Sequence, residues 1–262
     1  MPALPPEPAI PADATLEEIK AFRDELSPRV RGEAWLVVLT SALVSCHHGP
    51  ETVVHLYELA LAEATTTSST PAELAAASHH IQRSIQEVLV KGSVIFGIPP
   101  ALDTVFALLD HIRATAPPEH LLSARDFARA STLPQPIESL TKPAHEALRR
   151  VYKHNLDQIL DTKMSDNMPV LKFLTLEINY GFNLANQTVI NWQQTELVVL
   201  AALVTQNCRA EVLWHMRGAL RAGWEREDVQ SVRSVSKHIA RRLGVRTERV
   251  PDLDEVKEDS ND

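Results

Sequence analysis

The chain has 262 residues, a formal net charge of −8, and 44% hydrophobic against 23% charged residues. That is the balance of a soluble globular protein long enough to bury a sizeable core. The acidic surplus and the 5% aromatic content exclude a polyanion-binding surface, which needs clustered basic groups, so no nucleic-acid partner is expected.

Cys46 and Cys208 are the only cysteines. Two thiols so far apart do not make a disulfide framework, which points to a reducing compartment. The opening MPALPPEPAIPADATLEE has no basic stretch followed by an apolar one, nor the Arg-rich, acid-poor character of a transit peptide. No apolar run reaches the roughly eighteen residues that span a bilayer. The final Asp259-Ser260-Asn261-Asp262 is not a Ser-Lys-Leu-type peroxisomal address. By elimination the expected location is cytoplasmic, with no membrane partner.

Residues 1–14 are proline-rich and read as a disordered or extended tail. Thr15 and Glu18 have the spacing of a capping box, and Leu16, Ile19, Phe22 and Leu26 follow at helical intervals. The apolar run Trp35 to Val44 ends at Cys46-His47-His48-Gly49-Pro50, and Pro50 opens a helix to about residue 63. After a polar loop, Thr70-Pro71-Ala72-Glu73 caps a helix to about Phe96. Gly97 breaks it and Pro99-Pro100 open the next. Residues 15–118 thus form a first helical unit, and 119–142 a connection. The second unit, 143–244, opens on a long amphipathic helix carrying Leu148, Val151, Leu156 and Ile159. Helices follow over about 168–180, 192–206, 209–222 and 225–243, with Gly223 and Gly244 at C′ positions. Residues 245–262 read as a solvated acidic tail. No stretch alternates as a strand does, so the fold class is all-α.

An internal repeat ties the halves together. LVVLTSALVSC at 36–46 is similar to LVVLAALVTQNC at 197–208, with one residue inserted. Each is followed by Glu-x-x-x-His, Glu51 with His55 and Glu211 with His215, and then by a capping signal at Thr70 to Glu73 or Trp224 to Glu227.

The second copy gathers Glu196, Cys208, Glu211 and His215. Residues four apart on a helix share a face, so Glu211 is placed to hydrogen-bond and orient His215. At about 100° per residue, Cys208, Glu211 and His215 fall within a sector of roughly 60°. Glu196 joins them if its helix packs antiparallel. Such groups serve as a general acid–base pair beside a thiol. Each group alone also has a structural reading: a surface ion pair for Glu211 and His215, a small buried apolar residue for Cys208. His47, His48, Glu51 and His55 form no zinc tetrad of recognised spacing, and adjacent histidines cannot share a helix face. No metal and no cofactor are expected.

The segment 179–232 resembles the carboxymuconolactone decarboxylase and alkyl-hydroperoxidase-D-like (AhpD-like) superfamily. The resemblance rests on Tyr180-Gly181, Glu196-Leu-Val-Val-Leu, Glu211-x-x-x-His215-x-Arg217-Gly-Ala-Leu220-x-x-Gly223 and Glu227-Asp-Val229. The stretch 90–102, with Gly97-Ile-Pro99, resembles it more loosely. It implies an all-helical AhpD-like fold, a homo-oligomer and a small-molecule substrate. Peroxidase members of the superfamily carry Cys-x-x-Cys at this spacing, but Glu211 stands where the second cysteine would be. A thiol peroxidase needs that resolving thiol. The resemblance therefore implies decarboxylase-like acid–base chemistry, with His215 as proton carrier, Glu211 as its orienter, Glu196 as a second acid or base and Arg217 as a carboxylate anchor. The alternatives are a peroxidase using Cys208 and a non-catalytic structural or regulatory member.

Overall fold

The computed structural model describes residues 11–123, 136–153 and 155–257. The start of the expected tail up to residue 10, half of the expected connection (124–135) and the last residues from 258 lie outside them. Helices begin where the sequence caps them. Thr15 Oγ1 accepts the Glu18 amide at 3.3 Å while the Glu18 carboxylate takes the Thr15 amide at 2.9 Å, opening α1 (Leu16–Asp24). Thr70 and Glu73 do the same for α5 (Pro71–Phe96), with Pro71 in its first turn. Before α5 come α2 (Pro28–Glu33), α3 (Trp35–Ser45) and α4 (Gly49–Thr67). After it come α6 (Ile98–Thr115) and, beyond 135, α7 (Thr141–Tyr152). Two π-helices follow, π1 (Gln158–Met164) and π2 (Leu174–Leu184), then α8 (Trp192–Thr205), α9 (Arg209–Arg221) and α10 (Arg226–Arg242). No strand occurs among the described residues, and the fold is all-α. No helix is long and apolar enough to cross a membrane among them.

α3 and α8 explain the architecture. Neither has a polar face, and every residue from Val37 to Ser45 and from Thr195 to Thr205 is buried. A helix apolar all round must be enclosed on all sides. The two pack on each other, and α5 and α10 each pack against both. Where α3 and α8 touch, Ser41 Oγ donates to the Val198 carbonyl at 2.7 Å and Ser45 Oγ to that of Ala202 at 3.3 Å. Small residues with satisfied hydroxyls let the backbones approach without orphaning a polar group.

The same turn closes both central helices. His47 (φ 64°) and Asn207 (φ 57°) are left-handed. The amides of His48 and Cys208, one residue on, reach back to the carbonyls of Leu43 and Leu203, each at 3.2 Å. Both turns are Schellman closures, 160 residues apart, a spacing at which Glu51 corresponds in sequence to Glu211 and His55 to His215. The cysteines are not equivalent at that spacing: Cys46 matches Gln206, and His48 matches Cys208. A helix cannot absorb the insertion that aligning the cysteines requires.

Several boundaries differ from expectation. Lys153, at φ 45°, ends α7 before Leu156 and Ile159 are reached; His154 lies outside the described residues. The stretch after Met168 is helical but winds mostly as π2. Its final turn is fixed by Lys91 of α5, fully buried, whose ammonium donates to the carbonyls of Asn183, Leu184 and Asn186 at 3.3, 2.9 and 2.6 Å. α10 is capped by Glu225 with Asp228, one residue later than the expected pair. Residues 245–257 are not a solvated tail, since Val250 and Leu253 are buried and Arg233 Nε donates to the Pro251 carbonyl at 2.5 Å. At the other end, Ala14 is buried and Asp13 bonds His48. Apolar residues within these polar stretches are what dock them.

Candidate active site

The Asn207 turn folds α9 back along α8 and brings Glu196, in the second turn of α8, to His215, in the second turn of α9. The Glu196 Oε2 to His215 Nδ1 distance is 3.0 Å, and the two residues are 1% and 5% exposed. A carboxylate only accepts, so in this contact Nδ1 carries the proton and Nε2 takes no part in it. A carboxylate so enclosed requires its partner, because an unpaired buried charge is strongly destabilising.

Gly218 creates the room. Three residues after His215 it lies on the same side of α9, and a Cβ placed there would meet Glu196 Oε2 at 2.4 Å and Val151 Cγ1 at 3.4 Å. The carboxylate therefore rests against bare helix backbone, beside the end of α7. That end is tied to α9 by Arg221, which donates to the Val151 carbonyl at 2.7 Å. It is also tied by Tyr152, whose ring meets Trp214 edge-on with centroids 5.6 Å apart.

Two phenols complete the surroundings. Burial pushes the Tyr152 hydroxyl up to about 12; its hydrogen bonding with Tyr180 works against this, and the charges of Glu196 and Glu211 add to it. Burial likewise holds Tyr180 well above the ordinary tyrosine range, with Tyr152 and Glu196 adding. Both phenols thus keep their protons; Tyr180 spends its own on Tyr152, which leaves the Tyr152 O–H as the free donor of the two.

The remaining expected residues are arranged differently. Glu211 is exposed on the first turn of α9, and the carboxylate that orients His215 is Glu196. Cys208 is the N-cap of α9, with its Sγ 3.5 Å from the Gln206 carbonyl. Burial raises its thiol pKa and Glu211 raises it further, against a smaller effect of Arg249, so the thiolate is disfavoured. Arg217 is half-buried. It leaves α9 about 200° around the axis from His215. Cys46 and Cys208 are both free. Among the described residues no group of three or more His, Cys, Asp or Glu side chains is placed to hold a metal.

In the first half His55 lacks such a partner. Leu36 stands at the position matching Glu196, the nearest carboxylate is Glu58 at 4.0 Å, and the buried Nδ1 has no hydrogen bond among the described residues. Sequence reasoning missed Tyr152, Trp214 and the role of Gly218. Only Gly218 left a signal, a helix-interior glycine one turn from a histidine.

Comparison with known proteins finds a family match over one segment of the chain. Residues 173–248, which contain π2 from its start and α8 to α10, match the carboxymuconolactone decarboxylase family. The chain is 26% identical over 165 residues to "Peroxisomal protein 2" of Schizosaccharomyces pombe, covering 63% of this chain and 72% of that one. It is 24% identical over 174 residues to "Peroxisomal protein 2" of Saccharomyces cerevisiae, covering 61% and 62%. No solved structure matches significantly.

Proposed function

Starting from residues 173–248 as a carboxymuconolactone decarboxylase family segment, we propose that the chain is a small-molecule enzyme using proton transfer without redox cycling. The observation that carries this reading is the buried Glu196–His215 pair, 3.0 Å apart. In it Glu196 orients the imidazole and His215 Nε2 takes a proton from, or returns one to, a carbon next to a carbonyl. The Tyr152 hydroxyl, which accepts from Tyr180 and keeps its own proton free, is the donor for the oxygen on which negative charge then develops. The favoured substrates are carboxylated lactones and related acids that lose CO2 or shift a double bond.

The test is a panel of such lactones and β-keto acids, followed by CO2 release and by solvent deuterium incorporation. His215→Gln and Glu196→Gln should each lower turnover by about 10²- to 10⁴-fold, and Cys208→Ser should retain it. Loss of turnover in Cys208→Ser with retention in His215→Gln would overturn the reading in favour of thiol chemistry, which the raised Cys208 pKa opposes.

Two related helical units, 15–118 and 143–244, belong to the same proposal. The repeated left-handed turn at His47 and Asn207 supports it, the first unit having lost its carboxylate at Leu36. Homo-oligomerisation is proposed from the exposed apolar side chains Met168, Val170, Leu171 and Phe173, and sedimentation velocity tests it. The names of both relatives set a peroxisomal location against the cytoplasmic one. Fluorescent fusions at either end, imaged with a peroxisomal marker, decide between them.

A further inference from the structure

A groove of about 470 Å³ runs between α5, α6 and the end of π2, and shares no residue with the Glu196–His215 site. Its apolar walls are Leu89 and Val90 from α5, Ala101, Leu102 and Val105 from α6, and Phe182 from π2. Ile98 and Leu102, on its α6 side, are 64% and 45% exposed. The volume lies within the range of small-molecule sites, about 300–1,000 Å³. No charged residue lines it; the polar ones are Gln86, Ser93 and Asn183.

Gln86 is the informative residue. It is 7% exposed, and its Oε1 is buried with no hydrogen-bond partner among the described residues. Buried polar groups are nearly always satisfied, and among the groove's residues Gln86 is the one with such an orphan atom. Ser93 cannot serve it, because its hydroxyl donates to the Val90 carbonyl at 2.8 Å. Lys91 is turned to the carbonyls that end π2, and so shapes the groove's end without lining it.

We propose that this groove is a second ligand site, which takes a neutral molecule with an apolar chain and a terminal hydroxyl, of the aliphatic alcohol class. The chain lies on the aliphatic walls, covering Leu102, and the hydroxyl meets the Gln86 carboxamide. A hydroxyl both donates and accepts, so it satisfies the carboxamide whichever way the amide group is turned. A carboxylate or ammonium head would be desolvated there without a counter-charge.

The full chain, titrated calorimetrically with 1-decanol, decanoate and decylammonium at neutral pH, tests this. Saturable binding of 1-decanol at one site per chain is expected, with both charged probes at least tenfold weaker. Leu102→Glu and Ala101→Trp should each weaken 1-decanol at least tenfold while leaving the far-ultraviolet circular dichroism and melting transition in place. Gln86→Leu should lower 1-decanol affinity several-fold and so narrow its preference over the charged probes. His215→Gln should bind as the unaltered chain does. Absence of saturable 1-decanol binding, equal binding of decanoate or decylammonium, or indifference to both groove substitutions would each overturn the assignment.

Discussion

The carboxylate of Glu196 occupies the space that a side chain at Gly218 would fill, since a Cβ there would stand 2.4 Å from Oε2. The catalytic reading thus depends on a glycine that touches no substrate. Gly218→Ala should push the carboxylate off the α9 backbone and away from His215. The expected cost is about 1–3 kcal/mol of stability, as for other overpacked interiors, although alanine is the better helix former. Thermal unfolding reads the stability, and a long-range nitrogen–proton spectrum reads whether the His215 Nδ1 proton survives. Unchanged stability with the same tautomer would show that Glu196 has another place to go.

The pair should also fail as a unit. Glu196→Gln keeps an oxygen for His215 Nδ1 but loses the charge that stabilises an imidazolium. Turnover is expected to fall about 10²- to 10⁴-fold, the usual contribution of a positioned acid or base. The double variant with His215→Gln should be scarcely worse than either single one, because groups acting together are non-additive. Multiplying losses, measured as kcat/KM on the panel substrate that is turned over, would show independent roles.

Much of this fold is written in short-range signals. The capping boxes at Thr15 and Thr70, the Gly223 and Gly244 stops and the apolar runs of α3 and α8 are local codes, and the helices follow them. The family pattern pointed to Glu196 and His215 together. The partner of His215 was misassigned because i to i+4 spacing makes Glu211 a neighbour on the helix surface, whereas burial selects Glu196, 19 residues away. Tyr152 was invisible because its place depends on where α7 stops, and that is set by a left-handed Lys153. The end of the π-wound stretch 174–184 has no local pattern either, as its last carbonyls are held by a lysine some ninety residues earlier.

The Cys208 thiol should be sluggish, and its reactivity should move in opposite directions with two neighbours. Burial and then Glu211 raise its pKa, while Arg249 lowers it. Glu211→Gln is therefore expected to increase the rate of iodoacetamide alkylation at neutral pH by a few-fold, and Arg249→Met to decrease it. Mass spectrometry of the Cys208 peptide, timed separately from buried Cys46, makes the measurement. A rate indifferent to both substitutions would detach the thiol from these charges.

Alkaline pH should destabilise the fold through Cys46. Burial pushes its thiol from 9.0 up to about 12, with a hydrogen bond to Thr205 partly opposing this. The folded state holds this proton more tightly than the unfolded chain does. The resulting stability is full below about pH 9 and is lost as pH rises towards 12. The slope approaches ~1.4 kcal/mol per pH unit for each such group. Tyr152, also raised to about 12, joins above about pH 10, where unfolded tyrosine begins to titrate. Urea unfolding at pH 8, 9 and 10 should show the decline, and Cys46→Ala should flatten most of it.

The two left-handed turns give a test of the repeat that needs no substrate. A left-handed residue other than glycine costs roughly 1–2 kcal/mol, offset in part by the entropy glycine loses on folding. His47→Gly should therefore stabilise the chain by about 0.5 kcal/mol. Asn207→Gly should come out near neutral, because the Asn207 side chain also accepts the Arg249 amide at 2.8 Å, a bond worth about 1 kcal/mol. Valine at either position has no such release and should destabilise both turns, by similar amounts if they are the same structural element. Urea midpoints of the four single variants measure this. A His47→Val chain as stable as the original would break the 160-residue correspondence that matches His55 to His215.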